Sequence, residues 1–286
     1  MQIAASAMVL PGRAIAETTW QGVALGADVS VTLRGDVAGA EATIGGTQRI
    51  LRQMEAEFSL FDLESSLSCL NRAERLTPSA EFRALINAAG YAHHLTGGLF
   101  DPTIQPLWQA RAAGVEEGVA RQSIGWDRLT IADEVRLGEG QALTFNGIAQ
   151  GYATDRVCDF LATRAFGPAL INIGEFAALG GPFDVGIADP DFGLLGRRHL
   201  SNTAIATSSP FAMRLAGGSH ILGPKGETPL WSTVSVEADR ATLADALSTA
   251  LVFLDLTGIK ALIRAAPQVR SVTLISFEGE LSTISA

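Results

Sequence analysis

Five short segments with partly alternating apolar residues, bounded by glycines, follow one another in the second half of this 286-residue chain. Successive residues of a strand face opposite sides of its sheet, so such alternation is typical of half-buried strands. Short, glycine-bounded strands of this kind together predict an antiparallel sheet. The segments are residues 169–173, 183–188, 203–207, 211–215 and 233–237.

Helical segments precede and follow these strands. A strand over 23–33 leads to a helix that begins at Asp36 and runs to about Glu57. A loop then leads into a short helix ending near residue 71. Since no internal repeat or low-complexity linker is present, we expect an α+β fold: a single compact unit of mixed helices and antiparallel sheet with two subregions. Later helices are predicted over 78–95, from the stretch 145–155 to a stop at Gly167–Pro168, and over 243–254 and 258–265, with a last strand over 271–276.

One stretch, Phe145–Asp155, has two glycines four residues apart, Gly147 and Gly151, among small or apolar residues at the start of a predicted helix. Glycines allow the backbone to come close to another group. The unpaired N–H groups and the dipole at a helix start favour an anion such as a phosphate. A glycine pair before a helix is also common where only packing is served, and the sequence leaves both interpretations open.

A second stretch, Ala244–Leu251, places Asp245 and Thr249 four residues apart on a strongly helical run. That spacing puts a carboxylate and a hydroxyl on one helix face. Both are oxygen ligands of the kind Mg²⁺ takes beside water and substrate phosphates. The alternative is structural, with Asp245 complementing the helix dipole and Thr249 bonding to its own helix.

Composition excludes two classes of protein. The formal net charge is −9, and the 21 Lys and Arg residues form no cluster, which argues against a nucleic-acid partner. No uninterrupted apolar run reaches the length of about 18 residues that a membrane-spanning helix needs. Cys69 and Cys158 could pair in an oxidising compartment, but they lie far apart in predicted helices and are interpreted as isolated buried thiols.

The first 16 residues resemble the remnant of an export signal. Ile3–Leu10 is an apolar patch, and Ala14–Ala16 provides small residues before Glu17, although a positively charged start is missing. We therefore expect an exported, soluble, periplasmic protein whose folded domain covers residues 17–286.

The pieces in chain order resemble the ApbE family of flavin transferases, which move FMN from FAD onto a Ser or Thr hydroxyl of another protein. Each motif is modest alone, but their order makes a chance match improbable, and together they span about residues 23–254. The matching stretches are 58–71, 98–107, 146–155, 172–174, 204–208, 219–222 and 244–251.

The resemblance implies an ApbE-like (T-fold-like) domain with FAD in a cleft and one or two Mg²⁺ ions. By position in the family motifs, Asp245, Thr249 and the carbonyl of Gly147 would bind the metal. Asp101 would contact adenine or ribose hydroxyls, and Glu175 is a candidate polar contact to the flavin. The positions implied for the FAD site are Leu25, Phe61, Phe100, Asp101, Thr144, Gln150, Glu175 and Leu222.

The resemblance makes His220 the candidate catalytic base. A protein hydroxyl is a poor nucleophile, and removing its proton during attack on phosphorus contributes about 10²- to 10⁴-fold in rate. Without the family, a histidine beside a strand is more often structural. His93, His94 and His199 have no comparable support and are interpreted as surface or packing residues.

Several positions depart from the family pattern. Gln150 stands where a Lys is frequent, which removes a positive charge near the phosphates, and Gly223 stands where an Asp is usual, which removes a carboxylate that would orient His220. Leu25 occupies the place of a Met, and 172–176 has one glycine fewer than usual. The motif combination resembles the NosX-like branch, associated with maturation of periplasmic nitrous oxide reductase, and implies a membrane flavoprotein acceptor.

Two other functions fit the same residues. An FAD pyrophosphatase would use water in place of the protein hydroxyl and would have the same site. A non-catalytic FAD-binding or carrier protein would be consistent with Gly223 and Gln150. The sequence favours Mg²⁺-dependent transfer of FMN from FAD to an acceptor protein, with release of AMP.

Overall fold

The computed structural model describes residues 17–34, 40–164, 168–216 and 218–286. Within these ranges it contains eight α-helices and fifteen strands. The helices are α1 (Ala40–Phe58), α2 (Ser66–Ala73), α3 (Ala80–Leu95), α4 (Gln105–Ala113), α5 (Gly118–Gln122), α6 (Ala149–Thr163), α7 (Ala241–Leu251) and α8 (Leu256–Ala265). The strands of the first half are β1 (Glu17–Ala24), β2 (Ala27–Arg34), β3 (Arg75–Leu76), β4 (Thr130–Ile131) and β5 (Val135–Arg136).

The remaining strands lie in the second half, as the alternation predicts. They are β6 (Ala169–Asn172), β7 (Phe176–Leu179), β8 (Phe183–Asp189), β9 (Gly193–Leu200), β10 (Ala204–Ser208), β11 (Arg214–Leu215), β12 (Gly218–Ser219), β13 (Thr233–Ala238), β14 (Val269–Ile275) and β15 (Leu281–Ser285). The principal sheet has eight strands in the order β1-β2-β6-β7-β10-β13-β14-β15. Every neighbouring pair in it is antiparallel, which confirms the predicted fold class.

The sheet is covered on both faces, and β6 shows how. Leu170 packs against the β8–β9 hairpin, with Phe183, Val185 and Ile187, on one face. Its neighbour Ile171 packs on the opposite face, in the core built with α1 and α6. Alternate residues of a strand thus serve two hydrophobic layers. Helices α7 and α8 extend the helical layer over β13 and β14.

Two strands differ from the sequence prediction, and one helix end agrees with it. The strand expected over 23–33 is a hairpin, because the chain reverses at Leu25 and Gly26, which have φ of 50° and 75°. The strand expected over 211–215 is reduced to β11. Helix α3 ends where Gly97 and Gly98 adopt left-handed φ, as predicted.

Some expectations lie outside the described residues. These are the export segment 1–16, the start of the first helix at Asp36 and the glycine at 167 that was predicted to end α6. Among the described helices, none combines the length and apolarity that crossing a bilayer requires. Cys69 in α2 and Cys158 in α6 are free thiols, as expected, but they are half-buried rather than buried.

The closest helix contact in the centre of the fold is between α6 and α7, and Gly151 permits it. A Cβ atom at this position would lie 2.3 Å from the Ala241 carbonyl oxygen and 2.7 Å from Asp245 Cβ. Both are well inside van der Waals contact, so only glycine fits without moving a helix. The plain packing interpretation of the glycine pair is therefore correct at this position.

We expect Gly151→Ala to lower the free energy of unfolding by about 1–3 kcal/mol, because the added methyl group overpacks the α6–α7 contact. Urea unfolding followed by circular dichroism measures this. Gly45→Ala is the matched control: Gly45 also lies in a helix, but a Cβ there meets nothing within 4 Å. That change should stabilise α1 by up to about 1 kcal/mol. Equal stability of Gly151→Ala and the wild type would contradict the packing argument.

Candidate active site

A single cavity brings together most of the residues that the sequence singles out. It lies between the start of α6, the face of α7, the turn after α3 and the segment from β10 to Leu222. All the predicted site residues line it except Leu25 and Phe61. Those that line it are Phe100, Asp101, Thr144, Gly147, Gln150, Glu175, His220, Leu222, Asp245 and Thr249.

The two glycines of the 145–155 stretch face the two polar residues of α7. A Cβ at Gly147 would lie 2.8 Å from Thr249 Oγ1, and the Gly151 N–H donates to Asp245 Oδ2 at 2.9 Å. The two glycines are four residues apart, and so are the two α7 residues that they face. The sequence interpretation expected a bound anion at the start of α6. In the structure, a carboxylate of the protein itself, that of Asp245, already bonds to an N–H group there.

Asp245 is a buried carboxyl group with one oxygen left open. Its side chain belongs to a residue that is only 4% exposed, and burial raises its pKa to about 7, with the Asp155 charge acting in the same direction and the Gly151 N–H opposing both. Within the described chain no group donates a hydrogen bond to Oδ1. A buried carboxylate with a free oxygen is a candidate ligand for a cation.

Glu175 is the second buried carboxyl group of the cavity. The Thr207 N–H donates to Oε2 at 3.0 Å, and the Thr154 hydroxyl donates to the Glu175 carbonyl oxygen at 3.1 Å, which fixes the residue between α6 and β10. Burial, and next the charge of Asp245, raise the pKa of Glu175 well above its usual value. The two carboxylates therefore repel each other across the cavity.

Three hydroxyl groups cluster where the end of β10 meets the face of α7 that carries Asp245. Ser208 Oγ lies 2.8 Å from Ser248 Oγ and 3.4 Å from Thr249 Oγ1, and the Ser248 hydroxyl donates to the Asp245 carbonyl oxygen at 3.0 Å. Thr249 consequently presents its oxygen within a small cluster of exchangeable donors. Such a cluster suits a hard cation or a phosphate oxygen equally.

His220 stands on the opposite wall with its tautomer determined by its neighbours. Nδ1 lies 2.9 Å from the Pro210 carbonyl oxygen and 3.1 Å from that of Met213. Because carbonyl oxygens only accept, Nδ1 carries the proton and Nε2 of the neutral ring is an acceptor. Burial lowers the pKa of His220, which favours this neutral form at pH 7.

The turn after α3 contributes Phe100 and Asp101. Asp101 Oδ1 accepts from the Thr103 N–H at 2.9 Å and from the Thr103 hydroxyl at 2.6 Å, so one carboxylate oxygen is committed to the turn. The residue is 8% exposed and faces the cavity. Oδ2 is left to meet a ligand donor.

Gln150 links the cavity to Leu25. Its Nε2 donates to the Leu25 carbonyl oxygen at 3.3 Å, and its side chain lies against Gly174, where a Cβ would come within 2.5 Å of it. Leu25 therefore borders the site without lining the cavity. Phe61 is 92% exposed on a loop whose backbone N–H groups at 61 and 62 bond to the Ser59 hydroxyl.

Sequence reasoning missed several residues of the site. Trp108, Met213, Asn146 and Ser208 line the cavity. Asp155 was not foreseen as the cap of α7: its carboxylate accepts from the N–H groups of Ala241 and Thr242, both at 2.9 Å. A signal existed, because Arg240 at the N-cap offers no side-chain acceptor and the helix start needs one from elsewhere.

The charge of the cavity is one-sided. Its described lining includes the carboxyl groups of Asp101, Glu175 and Asp245 and the imidazole of His220, but neither lysine nor arginine. A pyrophosphate bound there would face negative charge without a protein cation to offset it. The donor set therefore suits a phosphate ligand only together with a metal ion.

We expect Asp245→Asn to change how stability depends on pH when divalent metals are removed. The folded pKa of about 7 exceeds the unfolded value of about 3.9. Between pH 4 and 7 the unfolded chain therefore ionises first, and the stability contributed by the protonated Asp245 is lost as pH rises. Asparagine cannot ionise, so at pH 8 the variant should melt a few degrees above the wild type, and the difference should vanish near pH 4.

Thermal unfolding in EDTA across this pH range tests that expectation. Glu175 adds its own pH dependence to both proteins, so the difference between the two curves is the quantity to compare. Parallel curves would contradict the raised pKa of Asp245.

Comparison with known proteins agrees with this geometry. A model of the ApbE family matches residues 25–273, and a curated FAD:protein FMN transferase from Klebsiella pneumoniae (strain 342) is 26% identical over 213 residues, 66% of this chain and 67% of that protein. The flavin transferase ApbE of Vibrio cholerae has the same fold, with a TM-score of 0.83 at 22% identity over 96% of this chain and 98% of that chain. The apo flavinyl transferase ApbE of Pseudomonas stutzeri superposes with a TM-score of 0.82 at 24% identity, covering 95% of both chains. The protein belongs to the ApbE family.

Proposed function

We propose that this protein transfers FMN from FAD to a Ser or Thr hydroxyl of an acceptor protein and releases AMP. The observation that carries the proposal is that one cavity holds a neutral histidine with a free Nε2 opposite a buried carboxylate with a free oxygen. The first group can accept a proton and the second can hold a cation at the phosphates. Family membership and the FAD:protein FMN transferase relative support the same reaction.

Magnesium fits the donors on the α6–α7 side of the cavity. The Asp245 carboxylate, the Thr249 hydroxyl and the Gly147 carbonyl would hold it, as the resemblance implies. The described residues contain no group of three or more His, Cys, Asp and Glu side chains arranged for a metal. That agrees with Mg²⁺, which usually takes one or two carboxylates and completes its shell with water and substrate phosphates. When bound, the ion would neutralise charge that gathers on the pyrophosphate during transfer.

We propose that the rest of the cavity binds FAD. Asp101 Oδ2 would accept from a ribose or adenine donor, while Phe100, Leu222 and the newly found Trp108 supply apolar contacts. Thr144, Gln150 and Glu175 would contact polar atoms of the nucleotide. Leu25 would join this set at its border, because its carbonyl oxygen accepts from Gln150. For Phe61, which is 92% exposed and does not line the cavity, only the resemblance supports a place in the FAD site.

His220 performs the proton transfer in the proposed reaction. Its Nε2 takes the proton of the acceptor hydroxyl as the hydroxyl oxygen forms a bond to the FMN-side phosphorus. The bond between that phosphorus and the bridging oxygen breaks, and AMP leaves with the electron pair. The Pro210 and Met213 carbonyls keep the ring orientation and stabilise the imidazolium that results.

Two of the departures from the family pattern, at positions 223 and 150, are compatible with this scheme. Main-chain carbonyls orient His220, so a carboxylate at position 223 is not required for that task. The space beside Gly223 is filled by Glu227, whose Oε2 would lie 2.6 Å from a Cβ there. Gln150 keeps a polar contact but no charge, which makes phosphate binding more dependent on the metal.

We also propose that the protein is exported to the periplasm and that its acceptor is a flavoprotein, such as the membrane redox subunit that the NosX-like motifs imply. The export segment 1–16 and the acceptor are independent of the cavity geometry. Fractionation of cells that produce the full chain tests the compartment.

We expect that incubation with FAD, Mg²⁺ and a Thr-containing acceptor adds the mass of FMN to the acceptor. Asp245→Ala should abolish this addition while the circular dichroism spectrum stays native, because the metal loses its only carboxylate on α7. Intact-protein mass spectrometry reads the product. Free FMN with an unmodified acceptor would show a pyrophosphatase instead, and unchanged FAD would show a carrier.

His220→Ala should slow transfer by about 10²- to 10⁴-fold, because the acceptor hydroxyl loses its base. FAD affinity should change by much less, since the lost group acts on the hydroxyl. His199→Ala is the control, because His199 lies exposed on β9 and pairs with Asp184 away from the cavity. An equal loss of FAD affinity and transfer rate in His220→Ala would argue against a base.

A further inference from the structure

The last turn of α3 presents two side chains to the backbone of Phe100. The Thr96 hydroxyl accepts from the Phe100 N–H at 3.0 Å, and His93 Nδ1 lies 3.0 Å from the Phe100 carbonyl oxygen. Both polar groups of the Phe100 main chain are therefore held by side chains of the preceding helix. Gly97 and Gly98, with left-handed φ, turn the chain back to make this possible.

The tautomer of His93 follows from these contacts. A carbonyl oxygen can only accept, so the bond to Phe100 requires the proton on Nδ1. The same nitrogen lies 3.7 Å from Asp101 Oδ2, so its N–H dipole also attracts the carboxylate oxygen that faces the cavity. The other side of the imidazole stacks on Trp126, with ring centroids 5.5 Å apart and planes 24° from parallel.

The bond from His93 acts on the peptide unit that carries Asp101. The Phe100 carbonyl belongs to the peptide joining Phe100 to Asp101, so its direction determines where the Asp101 side chain starts. Thr103 then holds Oδ1, which leaves the position of Oδ2 determined from both ends. Without the donor at His93, the Phe100 carbonyl loses its side-chain partner, and the bonds from Thr103 alone determine the direction of Oδ2.

We infer that His93 is a positioning residue of the nucleotide site: through the Phe100–Asp101 peptide, it orients the Asp101 carboxylate toward FAD. This inference deepens the proposed function and rests on it. It adds a role to the sequence-based interpretation of His93 as a surface or packing residue, since the ring also packs on Trp126. His94, the next residue, is exposed and serves as a matched control.

Two substitutions separate positioning from packing. His93→Phe keeps a ring against Trp126 but removes the donor, and His93→Asn places an amide N–H near the Nδ1 position but removes the stacked ring. If His93 positions Asp101, His93→Phe should raise the Kd for FAD about three- to tenfold, the effect of one lost hydrogen bond, and His93→Asn should stay within about twofold of the wild type. Packing alone would produce the opposite order.

The measurement is the fluorescence anisotropy of FAD with Mg²⁺ in the His220→Ala background, where turnover is slow. Steady-state transfer by the otherwise wild-type variants should show a raised KM for FAD in His93→Phe with kcat within about twofold. His94→Phe should match the wild type in both assays. FAD affinity of His93→Phe equal to that of its parent, or an equal loss in His93→Asn, would overturn this inference alone. Failure of the wild type to bind FAD would overturn the proposed function with it.

Discussion

The architecture of the cavity depends on the hydrogen bond between the Gly151 N–H and the Asp245 carboxylate. This bond needs the α6 backbone within reach of a short side chain on α7, and only glycine permits that approach. The carboxylate in turn satisfies an N–H group at the start of α6 that has no partner within the helix. A backbone requirement, a packing requirement and a charge requirement are thus met by the same pair of residues.

Electrostatics give the cavity its chemical character. Asp245 and Glu175 are buried close enough for their charges to oppose each other, and the cavity lining within the described chain includes neither lysine nor arginine to balance them. Burial acts on His220 in the opposite sense, keeping the ring neutral. Burial thus disfavours the charged form of all three groups. The carboxylates need a cation to stay ionised, and the neutral histidine can accept a proton.

Sequence patterns predicted those parts of the protein whose structure depends on local features, such as alternating apolar residues or a pair of glycines. Alternation found the central strands, and Gly97–Gly98 marked the end of α3. Strand β7 was not predicted because Phe176–Ala178 is buried throughout and does not alternate, and α4, which has a proline in its first turn, was not predicted either. The ApbE motifs predicted most of the cavity lining. The motifs did not reveal the roles of Asp155 and His93. Asp155 caps a distant helix and His93 holds a neighbouring carbonyl group, and neither contact can be read from the spacing of residues within a motif.

Asp155 and Gly151 are four residues apart on α6, and their partners Ala241 and Asp245 are four residues apart on α7. Two hydrogen bonds, which act as two latches, therefore join the helices at equal spacing. The pairing shows that the two chains run in opposite directions. Sliding one helix along the other by a turn, about 5.4 Å, would break both latches together. This wall of the cavity is therefore expected to be rigid. Any movement that admits a ligand as large as a dinucleotide would then occur in the facing wall, where carbonyl groups of an irregular segment hold His220.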